Sequence, residues 1–141
     1  MCKAVIDTSV MVSVAFAKEG LAKELRDTIA DGAFILVTSK EIIAELYRVL
    51  HSPRILKQFH ASDEDVDEFI GLILEKATFT TGRYTVHKVS DDPTDDMFLA
   101  CAMEAGADYI VSRDPHLRTL KYFHGINITD LKSFLETLRR P

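Results

Sequence analysis

Four acidic residues stand where an α/β chain would gather them at one edge of its sheet: Asp7, Glu45, Asp96 and Asp114. Asp7 ends the apolar run Ala4-Val5-Ile6, and Asp114 follows Tyr109-Ile110-Val111-Ser112-Arg113. Asp96 opens a helical stretch, and Glu45 interrupts the apolar stripe of another. Carboxylates brought together repel one another unless cations sit between them. The pattern therefore points to a divalent-metal site of oxygen ligands, the kind that most often serves phosphate chemistry.

Each acid also has an ordinary structural reading. Asp7 after a strand is a good N-cap for the following helix, and Asp114-Pro115 is a common cap and first turn. Glu45 shares a helix side with Ile42, Leu46 and Val49, where a charge is costly unless paired, coordinated or able to reach solvent. Arg48 is the nearby candidate for an ion pair. In the run Asp91-Asp92-Pro93-Thr94-Asp95-Asp96, helix-start chemistry accounts for Asp92 and Asp95. Asp96 differs, because Leu99, Ala100 and Met103 follow it on the same helical face. Taken singly, Asp7 and Asp114 read first as caps. Taken together, they are two adjacent strands presenting an Asp at one edge, where open α/β sheets bind ligands.

The elements that must position these acids alternate between short apolar runs and longer helical periods, which predicts a mainly parallel sheet covered by helices. Strands are expected at 3–6, 34–37, 78–81, 108–112 and 126–128, with a further extended segment at 84–89. Helices are expected at 9–16, 21–29, 40–51 and 130–138, along with one after Ser62 and one from Asp92-Pro93 to Gly106. A short helical turn is expected at Asp114-Pro115. Ser39, Ser62 and Thr129 are the predicted caps, with Asp65 completing a capping box and Pro53 marking a break. Residues 1–141 read as one domain without repeats or a separating linker, with 55–76 as its most separable arm.

Net charge is −5, which argues against a surface coated in basic residues for unspecific nucleic-acid binding. It leaves a nuclease open, since an empty acidic site adds negative charge that cations cancel. Cys2 and Cys101 lack ligand spacing, and Cys101 falls in an apolar run. The expectation is free thiols in a reducing cytoplasm, with no leader and no membrane span. His51, His60, His87, His116 and His124 show no zinc spacing. There is no dinucleotide fingerprint, P-loop or nucleophile elbow. An aspartate-based phosphotransfer domain would need a DxD strand end or a Lys closing a central strand, and neither is present. Arg48, Arg54, Lys57, Arg113, Arg118 and Lys121 lie near the proposed edge, where a few of them could hold phosphates.

Four motifs in order resemble the PIN-domain family of metal-dependent ribonucleases, in particular the toxins of prokaryotic toxin–antitoxin pairs. They are Val5-Ile6-Asp7-Thr8-Ser9-Val10, the helical Glu45 within Ile42 to Leu50, Asp96-Met97-Phe98-Leu99-Ala100, and Tyr109-Ile110-Val111-Ser112-Arg113-Asp114. The resemblance covers almost the whole chain. It implies a three-layer α/β/α domain in which Asp7, Glu45, Asp96 and Asp114 hold Mg²⁺ or Mn²⁺ for RNA hydrolysis. Asp95, adjoining Asp96, is the alternative ligand at that position. Ser9 and Ser112 would support the carboxylates. The implied partners are an RNA substrate, a cognate antitoxin and a second copy of the chain, with Val12, Val14 and Phe16 as exposed apolar positions for the dimer. The rival reading is a catalytically silent PIN-like module that binds RNA or protein.

Overall fold

The computed structural model describes residues 1–83 and 96–140. Its strands are β1 (Lys3–Ile6), β2 (Ile35–Thr38), β3 (Thr78–Phe79), β4 (Tyr109–Val111), β5 (Tyr122–Phe123) and β6 (Ile126–Thr129). Its helices are α1 (Thr8–Ala15), α2 (Gly20–Asp31), α3 (Lys40–Leu50), α4 (Pro53–Gln58), α5 (Asp63–Lys76), α6 (Asp96–Ala105), α7 (Pro115–Arg118) and α8 (Leu131–Arg139). The expected extended segment at 84–89 and the helix start at Asp92-Pro93 lie outside the described residues, as does Asp95.

The strands form one sheet in the order β3-β2-β1-β4-β6-β5. All neighbours are parallel except the antiparallel pair β5–β6. The chain runs outward from β1 in both directions, so the strand order reverses between β1 and β4, the place where a crevice opens at the carboxyl edge. The central strands are apolar along their length because both faces are covered. Ala4, Ile6 and Val111 face one buried cluster with Leu25, Ile29 and Phe134, whereas Val5 and Ile110 face another with Leu99, Ala102 and Leu117. The architecture is thus three-layer α/β/α. Phe134 anchors the first layer, with Phe34 edge-on at 5.0 Å and Tyr109 at 5.6 Å between ring centroids.

Local chemistry explains most boundaries. Ser39, Ser52 and Ser62 each accept a backbone N–H at the start of α3, α4 and α5, and Ser62 and Asp65 form the full capping box. Pro53 begins α4 rather than simply ending α3, because proline's fixed φ suits a first helical turn. Three expectations are corrected. Asp130, not Thr129, caps α8, its carboxylate accepting the Ser133 N–H at 2.8 Å while Thr129 still pairs in β6. Val14 is fully buried in the core and offers nothing to a partner chain, and Val12 and Phe16 are partly buried against that core. The expected strand at 78–81 spans only Thr78–Phe79.

Candidate active site at the carboxyl edge of the sheet

The turn out of β1 places Asp7 at the first residue past the strand, its backbone N–H held by Val111 O at 3.0 Å. Asp7 is 3% exposed and caps α1: Oδ1 accepts the Val10 N–H and the Ser9 hydroxyl, both at 3.0 Å. The capping reading is therefore correct for one oxygen. The other, Oδ2, takes a hydrogen bond from the Ser112 hydroxyl. Ser112 sits just past β4, fully buried, and its oxygen also accepts the backbone N–H of Asp114 at 2.9 Å. The two strand-end acids are thus linked through one hydroxyl.

Burial pushes the Asp7 carboxyl above the usual aspartate range. Hydrogen bonds from Ser112, the Val10 amide and Ser9 pull it back, and the charge on Asp114 pushes it up again. A carboxylate held by three donors yet still disfavoured as an anion is one that a nearby cation would stabilise.

Glu45 approaches from α3, which packs across α1. Its Oε2 accepts the Thr8 hydroxyl at 2.7 Å, and Oε1 lies 3.9 Å from the Arg48 guanidinium. The expected Arg48 pair exists, but Arg48 is 75% exposed and the contact long, so it contributes little. Thr8 is the residue the sequence reading missed. Its place between Asp7 and Ser9 was visible, but nothing in one dimension says that the first turn of α1 meets the middle of α3.

Asp7, Glu45 and Asp114 line one cleft of about 670 Å³, together with Thr8, Ser9, Ser13, Arg54, Phe98 and Arg113. Asp96 is placed differently. It opens α6, half-buried with Oδ1 inaccessible, and is not among the residues lining the cleft. Among the described residues, no three His, Cys, Asp or Glu side chains stand together closely enough to hold a metal ion. Of the four acids expected to converge, three (Asp7, Glu45 and Asp114) line this one cleft.

A mainly parallel sheet between two helical layers, with carboxylates at its switch point, places the chain among the three-layer α/β/α domains. More particularly, a family model described as PIN domain matches residues 3–116, and the chain belongs to the PIN domain family. Membership points to nuclease-type chemistry in general. No curated protein sequence matches the chain. No helix among the described residues is long and apolar enough to cross a membrane.

Proposed function

We propose that this protein is a divalent-metal-dependent endoribonuclease, the toxin of a toxin–antitoxin pair working in the cytoplasm. The observation that carries the reading is the shared cleft of Asp7, Glu45 and Asp114 in a PIN-domain chain. The donor set fits a hard cation, since it offers only oxygens. Mg²⁺ keeps several waters and binds through one or two carboxylates plus substrate phosphate, so it does not require an all-protein cage. Asp7, Asp114 and Glu45 would hold Mg²⁺ or Mn²⁺ from the cleft, joined by Asp96 at the start of α6.

When bound, the cation supplies charge to activate water and stabilise the departing oxygen of a phosphodiester. The chain's own part is to orient and shield. Ser112 and Ser9 fix both oxygens of Asp7, Thr8 fixes one oxygen of Glu45, and the buried floor beneath Asp7 strengthens every electrostatic contact. Free thiols at Cys2 and Cys101 suit a reducing compartment.

The test is cleavage of a panel of single-stranded and structured RNAs with and without Mn²⁺, with Asp7→Asn as the control. Metal-dependent cleavage lost in the variant supports the reading. The rival is a silent binding module, and among the described residues no closed acidic cage stands against it. RNA binding without cleavage by the wild type would select it. An adjacent reading frame encoding a small partner that co-purifies and inhibits cleavage would establish the toxin role. Sedimentation at micromolar concentration tests the proposed homodimer, and a monomer would remove it.

A further inference from the structure

Three carboxylates in one cleft of a chain with net charge −5 repel a phosphodiester backbone before any chemistry can occur. Two arginines line the same cleft, and they rise from different walls. Arg54 stands on α4, and Arg113 lies in the turn between β4 and Asp114. Both are exposed.

Their surroundings differ from those of Arg26, Arg48, Arg118 and Arg139. Arg48, Arg118 and Arg139 face Glu45, Asp130 and Glu24, and Arg26 donates to the carbonyls of Val14, Ala15 and Ala17. Arg113 instead donates from Nη1 to a neutral partner, the Ser13 hydroxyl, at 2.8 Å. Ser13 is itself held by Ser9 O at 3.3 Å, one turn back along α1. The guanidinium is thereby aimed while its charge stays uncompensated by that contact, with other N–H groups left for a ligand. Among the described residues, Arg54 makes no ion pair of the kind that occupies Arg48.

Resting on the nuclease reading, we propose that Arg54 and Arg113 form a two-point clamp for nucleic-acid phosphates. Each takes a phosphate on one side of the phosphodiester presented to Asp7 and Asp114. The strand runs from the α3–α4 wall, across the acids, to the turn after β4. Ser13 is a positioning residue, acting through Arg113. The arrangement separates tasks: the arginines hold the neighbouring phosphates, and the acids are left to the central one. Such contacts fix register without reading sequence.

The experiment measures binding and not cleavage. A short fluorescein-labelled single-stranded RNA is titrated, by anisotropy over a range of salt, into Asp7→Asn protein carrying Arg54→Gln, Arg113→Gln or Arg118→Gln. Each phosphate contact contributes roughly 0.7 to the slope of log affinity against log salt for a single strand. Arg54→Gln and Arg113→Gln should each weaken binding several-fold and lower that slope by about 0.7, and the double variant by about twice as much. Arg118→Gln, whose arginine already faces Asp130, should leave the slope unchanged. An unaltered slope in the Arg54 and Arg113 variants, or no measurable binding by the parent, overturns the clamp. The nuclease reading fails separately, if wild-type protein binds RNA in this arginine-dependent way and does not cleave it with Mn²⁺.

Discussion

Ser112, 105 residues from Asp7 in sequence, donates its hydroxyl to Asp7 Oδ2 and receives the Asp114 N–H on the same oxygen. Two strand ends that the fold brings side by side are thus fixed relative to each other by a single buried side chain. The bridge also keeps Asp7 closer to its ionised form than burial alone would allow.

Ser112→Ala is expected to lower stability by roughly 1–3 kcal/mol, because it strips a buried carboxylate and a backbone N–H of partners together. It should also raise the Asp7 titration further, moving the acid limb of the cleavage pH profile upward. Urea melts and a pH–rate series read the two effects independently. An unchanged profile would limit Ser112 to a structural part.

Asp7→Asn should abolish cleavage while preserving or raising the metal-free melting temperature at neutral pH. The folded pKa of Asp7 lies above its unfolded value, so between the two the native state binds more protons. Stability then falls as pH rises through that window and stays reduced above it. The variant's advantage should therefore be full at pH 7 and disappear in acid, where Asp7 is protonated in both states. Asparagine can still cap α1, whereas Asp7→Ala loses the cap at a cost of about 1 kcal/mol. Calorimetry of both variants against pH decides the matter.

Glu104 provides the opposite sign. Its carboxylate accepts the Thr81 N–H at 2.6 Å, the Thr81 hydroxyl at 3.1 Å and the Arg83 N–H at 2.5 Å. The Thr81 amide leads the contacts that hold its pKa below the usual glutamate value. This contribution is fully present above the unfolded pKa and is lost as pH falls through the lower folded one. Glu104→Ala should melt earlier at neutral pH, with the difference from wild type closing in acid. Trypsin should also cut faster after Arg83 in the variant, since the backbone there has lost its anchor.

Cys101 should resist thiol reagents in the native protein. It is 3% exposed, and burial pushes its thiol up to about 11, leaving almost no thiolate at neutral pH. Cys2 is partly exposed and should react first. A disulfide-exchange reagent is expected to titrate one thiol quickly and the second only on unfolding.

The strand-end acids were legible because Asp7 directly follows one apolar run and Asp114 comes three residues after another, each run marking a doubly covered strand. The helical caps at Ser39 and Ser62 were equally visible, since capping is local. What escaped was non-local or very short. β5 is only Tyr122–Phe123, and it turns into β6 through His124 and Gly125, both with positive φ (47° and 86°). A two-residue hairpin of that geometry is usually signalled by Asn-Gly or Asp-Gly, and His-Gly gives no such cue. The Thr8–Glu45 contact, spanning 37 residues, has no one-dimensional signature at all. Asp96 is half-buried at the start of α6, whose buried residues are Phe98, Leu99, Cys101 and Ala102 and not the expected stripe of Leu99, Ala100 and Met103.

The two ends of the sheet carry a consequence for how this chain meets other copies of itself. Among the described residues, β3 and β5 form the sheet's edges, and each is two residues long. An edge that short offers too few unpaired amide and carbonyl groups to template an incoming strand. At these two rims, strand-on-strand addition is thereby disfavoured.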